Sequence, residues 1–497
     1  MKRAVVRGVL GVSRLAGRFV LRSGLALRLV LRPGHEAARW RIGAWQAWGA
    51  YELARREVPA YRDFLARHGD PEVPFRGWIP DLSVVPVTDK GNYVKAFSIE
   101  ARCKGGAIPG KGVMVDESSG TSGMPNNWVR GRAERDAVTR ILQLAMRHQF
   151  GDKPIFVLNA FALGPWATGM NVSMSVVDIA ILKSTGPDLE KIANTLRLFG
   201  PSYRYVVMGY PPFLKALADM DLDWGRHDVT AIFGGEGLSE GARDYLLQRF
   251  RKVYGSYGAS DLEINLAAEN DYTIGLRRLL EAEPALRERI ARPGPLPMVF
   301  QYNPLDTFVE TNADGELVVT LTRPANIAPK IRYNIHDLGH VVRVPDLLAA
   351  LRGLGLEGRL PPLPSELPLL FHYGRSDQAV AYYGCKLAPA DVEQAIFRTA
   401  GLSERITSFA LLVAEEAGGD KRLTVALESR PGTPPPADLE AVRAALFVSL
   451  AAVNQDFRES IRMVPAGLEP QVAFHAAGAG PFEGHDIRLK RRYIQPQ

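Results

Sequence analysis

Apolar positions along the chain fall into two alternating rhythms. Short continuous runs at 155–159, 205–208 and 230–233 suit strands buried on both faces. Between and around them, 134–150, 188–199 and 239–252 carry apolar residues at helical spacing. Strands that alternate with helices predict an α/β domain of layered sheet and helix with a largely parallel sheet. Further on, 307–311 and 315–322 read as the arms of a β-hairpin around Asn312-Ala313-Asp314-Gly315. A Pro-, Gly- and Leu-rich stretch at 353–368 breaks the pattern, so a domain boundary is expected near Gly374. Beyond it, strand-like runs at 408–413 and 423–428 alternate with helical ones at 389–399 and 437–453, enough for a small α+β domain. The expected organisation is a separate segment at 1–34, a large domain at 35–373 and a small mobile lid at 374–497.

The first segment has a pattern of its own. At helical spacing Arg3, Arg7, Arg14, Arg18, Arg22, Arg28 and Arg32 fall within an arc of roughly 120°, and Val, Leu and Phe cover most of the rest. Arginines interrupt the apolar runs too often for a membrane span, and no clear secretory cleavage site follows. A helix lying on an anionic membrane surface and a helix docked on its own protein both fit. A second helical stretch at 36–58 carries Trp40, Trp45 and Trp48 as core or interface anchors.

Charge sharpens this division. The 497 residues carry a formal net charge of +7. The first 34 hold eight basic residues and no acid, so the remainder is close to neutral at −1. A main body without a net basic field argues against nucleic-acid binding. Cys103 and Cys385 are the only cysteines, which excludes a disulfide framework and a thiolate zinc site and fits a reducing cytoplasm, with peripheral attachment to the inner face of the membrane as an open addition.

Candidate chemistry begins at 116–127, a loop between two extended segments. Its centre is Ser118-Ser119-Gly120-Thr121-Ser122-Gly123-Met124-Pro125. Glycines there let a ligand approach the backbone, and the hydroxyls add donors beside main-chain N–H groups, as wrapping phosphate oxygens requires. The Gly-Lys-[Ser/Thr] ending of a Walker loop is missing. Gly234-Gly235-Glu236-Gly237 then sits at the end of a strand-like run, where open α/β sheets bind ligands. Further motifs follow in order: Tyr257-Gly258-Ala259-Ser260-Asp261, Arg332-Tyr333-Asn334-Ile335-His336-Asp337, Gly374-Arg375-Ser376-Asp377, Gly384-Cys385-Lys386 and Lys490-Arg491-Arg492.

This ordered series resembles that of the adenylate-forming, acyl-CoA synthetase-like enzymes, closest to the phenylacetate–CoA ligase-like and capsular polysaccharide-type branch. The short segments around Val58-Pro59-Ala60-Tyr61 and Pro86-Val87-Thr88-Asp89-Lys90 resemble the part that precedes the loop in those proteins. The resemblance spans about residues 58 to 493.

It implies ATP-dependent conversion of a small-molecule carboxylic acid to an acyl-adenylate, followed by acyl transfer to coenzyme A. An amine or hydroxyl acceptor remains an alternative, as does a degenerate nucleotide-binding membrane adaptor. By the same resemblance Ser118, Ser119, Gly120, Thr121, Ser122 and Gly123 hold phosphate, with Thr121 also catalytic. Gly235, Glu236, Tyr257, Gly258 and Ser260 bind the nucleotide, Tyr257 by stacking on adenine. Asp337 takes the ribose and Arg375 reaches it, while Asp261 holds Mg²⁺ with Glu263 as the substitute. Asp377 is the hinge, and Lys490 bridges carboxylate and α-phosphate. Two departures stand out: Asp261 where Glu is usual, and His336 where Gly is usual. No charged residue occurs between Asn159 and Met174, a stretch expected to line the acid pocket, so an apolar or aromatic acid is preferred.

Overall fold

The computed structural model describes residues 2–20, 33–118, 126–150, 154–164, 167–293, 296–376, 380–415, 420–464, 467–483 and 494–496. Its centre is an eleven-stranded sheet. One half is parallel, in the order Ile181–Ser184, Ile155–Asn159, Arg204–Gly209, Asp228–Gly234 and Lys252–Tyr257. Helices Ala167–Val176, Leu189–Phe199, Pro211–Ala218 and Glu240–Leu247 supply the connections that parallel pairing needs. Val157, Leu158, Tyr205, Val206 and Val229 are completely buried, because helices leave these strands no wet face.

The other half is antiparallel and continues through Ala267–Ala268, Met298–Tyr302, Leu369–Arg375, Tyr333–Val342, Glu316–Leu321 and Thr307–Thr311. The last two form the hairpin expected around Asn312, with Thr307 opposite Leu321. The helix expected over 239–252 ends earlier, at Leu247. Gln248 and Arg249 close the last turn with their N–H groups on the Tyr245 and Leu246 carbonyls, Phe250 turns into the core, and Lys252, the last residue of the expected helix, already pairs with Thr230 in the sheet.

A second core gathers behind residue 380. Ile406–Glu415 and Lys421–Ser429 pair antiparallel, with Gln471–His475 and Ile494–Pro496 added in parallel on either side. Helices Pro389–Arg398 and Leu439–Val453 pack together and contribute Val392, Ala395, Leu446 and Leu450 to a core with Leu411 and Val425.

At the start of the chain, helix Lys2–Val20 lies against helix Glu36–Glu57 and buries Val6 and Leu10 there. Arg3 pairs with Glu72, and Arg7 donates to Glu52 at 2.8 Å. Residues 21–32 lie outside the described residues. Among those described, no helix is long and apolar enough to cross a membrane. Of the three tryptophans, Trp48 is core, Trp45 donates to the Trp78 carbonyl at 2.6 Å, and Trp40 packs on Phe308.

Candidate functional site

A cavity of about 390 Å³ opens at the C-terminal ends of the parallel strands, the end at which open α/β sheets take ligands. Met208, Ile232, Gly234 and Ser256 bring it to the ends of three successive strands. One end is apolar, lined by Met146, Phe161, Val172, Met208, Ile232 and Ile264, which pack as part of a single cluster. The other end is charged. Lys90, Asp261, His336, Arg375 and Lys386 line it.

Asp261 is held from both sides. Its Oδ1 lies 3.3 Å from Lys90 Nζ, and its Oδ2 accepts from the Tyr333 hydroxyl at 3.0 Å. Burial alone would raise this carboxyl, but Lys90, Lys386 and the Tyr333 hydroxyl bring it below the usual carboxylate range. Glu263 is not available as a substitute, because Arg323 holds it by both carboxylate oxygens, one at 3.0 Å. Among the described residues no group of three or more His, Cys, Asp or Glu side chains is arranged to hold a metal. A single carboxylate in a polar cavity suits Mg²⁺ of the kind bound mainly by substrate phosphates and water.

Asp337 stands just behind this wall. Its Oδ2 accepts from the Tyr257 hydroxyl at 2.6 Å and lies 3.4 Å from His372 Nε2, while Oδ1 lies 3.5 Å from an Arg375 nitrogen. Burial opposes its ionisation, yet His372, Lys386 and Arg375 hold the carboxyl well below its ordinary value. Tyr257 is buried too, its ring 5.7 Å from Phe300 and 5.0 Å from His372, so the expected adenine-stacking residue faces the protein. The Lys386 ammonium is pushed down by burial and by Arg375, and Asp337 and Asp261 pull it back up.

Other expected residues divide. Gly235, Gly258, Ser260 and Arg375 line the cavity. A Cβ on Gly258 would meet the backbone of Ile264 at 2.4 Å, so this glycine is required by the folding of its own loop. Glu236 lies beside the cavity with its carboxylate turned toward the small domain, where Lys421 Nζ reaches it at 2.7 Å. Ser118 ends the strand Val113–Ser118, which pairs with Asn126–Gly131 so that Ser118 faces Asn126, a cavity residue. Ser119, Gly120, Thr121, Ser122, Gly123, Asp377 and Lys490 lie outside the described residues.

His336 adopts φ +64, in the left-handed region that glycine enters freely and that histidine tolerates better than most residues. This is the position where the resembling family has Gly. Its Nδ1 stands 3.1 Å from Glu316 Oε1, which fixes the ring at the cavity edge. Burial alone would raise Glu316, but hydrogen bonds from Ser376, Asn334, His336 and Asn312 bring it down to about 2.

Lys90, Lys386, His372 and Arg130 were not singled out by the sequence. Lys90 does sit in one of the short family-like segments, and Lys386 in another. Arg130 bonds Asp116 in the opposite arm of the loop hairpin and also the carbonyls of Leu262 and Ser260, each at 2.5 Å, so it ties the phosphate-loop candidate to the Asp261 turn.

No protein-family model matches the sequence, and no curated protein does. Solved structures are similar. One is 2-hydroxyisobutyryl-CoA ligase with 2-HIB-AMP and CoA in the thioesterification state, with a TM-score of 0.64 over 94% of this chain and 91% of that one at 16% identity. The same ligase in the postadenylation state, with R3-HIB-AMP, gives 0.51 over 94% and 91% at 15% identity. An open conformation with 2-HIB-AMP and CoA gives 0.50 over 92% and 90% at 15% identity. With its mixed eleven-stranded sheet followed by a small α+β unit, this chain has the fold of the adenylate-forming ligases.

Proposed function

We propose that the protein uses ATP to activate an apolar carboxylic acid and passes the acyl group to coenzyme A. The observation that carries this reading is the single cavity that joins an apolar end to a cluster of Lys90, Arg375 and Lys386 around Asp261 and Asp337. The motif order supports a reading within the phenylacetate–CoA ligase-like branch. The neighbouring ligase, solved with an acyl-AMP and CoA, supports the same chemistry on this fold.

In the first half-reaction a carboxylate oxygen attacks the α-phosphorus of ATP and the bond to pyrophosphate breaks. In the second, the acceptor sulfur attacks the acyl carbonyl carbon, AMP leaves, and the thiol proton passes to solvent. The residues act mainly by orientation and by neutralising charge. The apolar end holds the acyl body, and Lys90 and Arg375 offer positive charge to the phosphates. Asp337 is the ribose acceptor, which the sugar reaches by displacing the Tyr257 hydroxyl. Asp261 is the residue that would hold Mg²⁺, which when bound neutralises phosphate charge. Loop residues 118–123 cradle phosphate, Lys490 serves the first half-reaction, and Asp377 is the hinge for the small domain at 374–497.

The test is carboxylate-dependent exchange of labelled pyrophosphate into ATP, with Mg²⁺ and a panel of aliphatic and aryl acids. Exchange with apolar acids is expected. Silence across the whole panel would reject the reading.

A further inference from the structure

We propose that Ser256 and Asn265 form a hydroxyl-reading pair in the floor of the cavity, so that the acid this protein activates has an apolar body bearing one hydroxyl group away from its carboxylate. The inference rests on the function above and narrows its substrate class.

The cavity floor is the sheet itself. Met208, Ile232 and Tyr254 are register partners on three successive strands, and Gly234, Ser256 and Ala268 form the next row. All six line the cavity. Met208 and Ile232 offer only apolar surface, and Gly234 has no side chain, which leaves the space above it open. One strand further the floor turns polar. Ser256 lies opposite Gly234, and its hydroxyl donates to Asn265 Oδ1 at 3.0 Å.

That hydrogen bond decides what the pair can recognise. A serine hydroxyl has one proton, and a side-chain amide has one oxygen and one NH₂ group. With the serine proton given to Oδ1, Asn265 keeps both Nδ2 protons and Ser256 keeps lone pairs on Oγ. Among the described residues no protein acceptor takes the Nδ2 protons. A substrate hydroxyl satisfies both halves at once: its oxygen accepts from Nδ2 and its proton goes to Ser256 Oγ. A keto oxygen fills only the first half. A methylene in that place strips water from the amide and returns nothing, which costs about 1–3 kcal/mol.

The pair also stands at a fixed remove from the reacting end. Ser256 and Asn265 flank the base of the loop that the Leu266 N–H closes on the Tyr257 carbonyl at 2.9 Å, and Ser260 and Asp261 stand at its tip. Within the loop the Ala259 N–H donates to the Glu263 carbonyl at 2.9 Å. From outside, Arg130 holds the carbonyls of Ser260 and Leu262, and Arg323 holds the Glu263 carboxylate by both oxygens. A loop tied at so many points does not adjust to its ligand. The separation between Asp261 at the charged end and the Asn265 amide is therefore built in, and it selects the position of the hydroxyl as well as its presence.

The experiment measures pyrophosphate exchange with matched acids that differ only by one hydroxyl, in wild type, Asn265→Leu and Ser256→Ala. The pairs are phenylpropanoic acid with its meta- and para-hydroxyphenyl forms, and octanoic acid with its chain-hydroxylated forms. Wild type should favour one hydroxylated acid over its plain partner by about 10- to 100-fold in kcat/KM, carried mainly by KM. Asn265→Leu should bring that ratio close to unity, and Ser256→Ala should lower it by roughly tenfold, with the KM for ATP at its wild-type value in both. Equal use of plain and hydroxylated acids by wild type, or a ratio that survives Asn265→Leu, overturns the proposal. Should Asn265→Leu fail to fold, the ratio in Ser256→Ala decides in the same way. Should wild type show no exchange with any acid, the function above fails, and calorimetric titration of the same acids decides the pair. Tighter binding of a hydroxylated acid by wild type but not by the variants sustains it, and equal or absent binding overturns it.

Discussion

At the apolar end of the cavity, Met146, Phe161, Val172 and Met208 belong to a packed cluster that continues into the sheet through Val157 and Val206. At the charged end, the carboxylates are already engaged by protein groups: Asp261 by Lys90 and Tyr333, Asp337 by Tyr257, His372 and Arg375. On the function proposed above, an acyl group entering the first end would displace no protein partner and would gain about 25 cal/mol for each Å² of apolar surface buried. A nucleotide entering the second would exchange existing hydrogen bonds for its own, so its net gain would be the difference between two paired states. Under that proposal, selection of the acid's apolar body is a matter of shape, and selection of the nucleotide is a matter of exchanging partners.

The largest effect should come from the charged end. Asp337→Ala leaves the buried Tyr257 hydroxyl without its acceptor and removes a buried carboxylate that Arg375 and His372 face, and leaving a buried polar group unsatisfied typically costs about 1–3 kcal/mol. The urea midpoint should fall and the KM for ATP should rise, while relative preference among acids stays unchanged. A variant in which acid preference shifts as much as ATP KM would show that the two ends are one site in energetic terms.

A smaller effect is expected at the other end. Phe161→Ala enlarges the acyl space without touching a carboxylate, and differences of this kind in apolar pockets change substrate ratios by roughly 10- to 200-fold. Competition between a compact and a bulkier acid in the exchange assay should shift toward the bulkier one. ATP KM should hold. An unaltered ratio would remove Phe161 from the acyl end.

The same contrast explains what the sequence made legible. Apolar runs at 155–159, 205–208 and 230–233 reappear as buried parallel strands because continuous burial leaves a local signature. The hairpin around Asn312 followed from turn chemistry, which is equally local. His372 left no such mark, and Lys90 and Lys386 lay in family-like segments without a role, since each becomes a site residue only when distant segments meet around Asp261 and Asp337. Glu236 was legible as a strand-end acid but not as an interdomain contact, because its partners, Gly384 and Lys421, lie 148 and 185 residues away. His336 was visible as a departure from glycine, and the left-handed φ of +64 gives the physical reason glycine is usual there.

The smallest effect concerns a lysine behind the charged end. Lys330 is buried, with Nζ 4.4 Å from the Trp128 ring centroid and 5.6 Å from that of Tyr333. Burial, then the charges of Arg102 and Arg130, push its ammonium down from 10.5 to about 7, against an upward pull from Asp261 and Glu134. Because the folded value lies below the unfolded one, the unfolded chain keeps the proton between about pH 7 and 10.5 while the folded chain releases it. Stability contributed by this site therefore rises with pH across that window and is lowest below pH 7, where a buried charge must be kept. Lys330→Met should remove the penalty while keeping the apolar stem. At pH 6 the variant should be more stable than wild type by on the order of 2 kcal/mol, and the difference should shrink through the window and vanish near pH 10.5. Urea denaturation at pH 6, 8 and 10 reads this directly. A loss of stability at pH 6 would mean that the cation over Trp128 and Tyr333 stabilises the fold more than its desolvation opposes it.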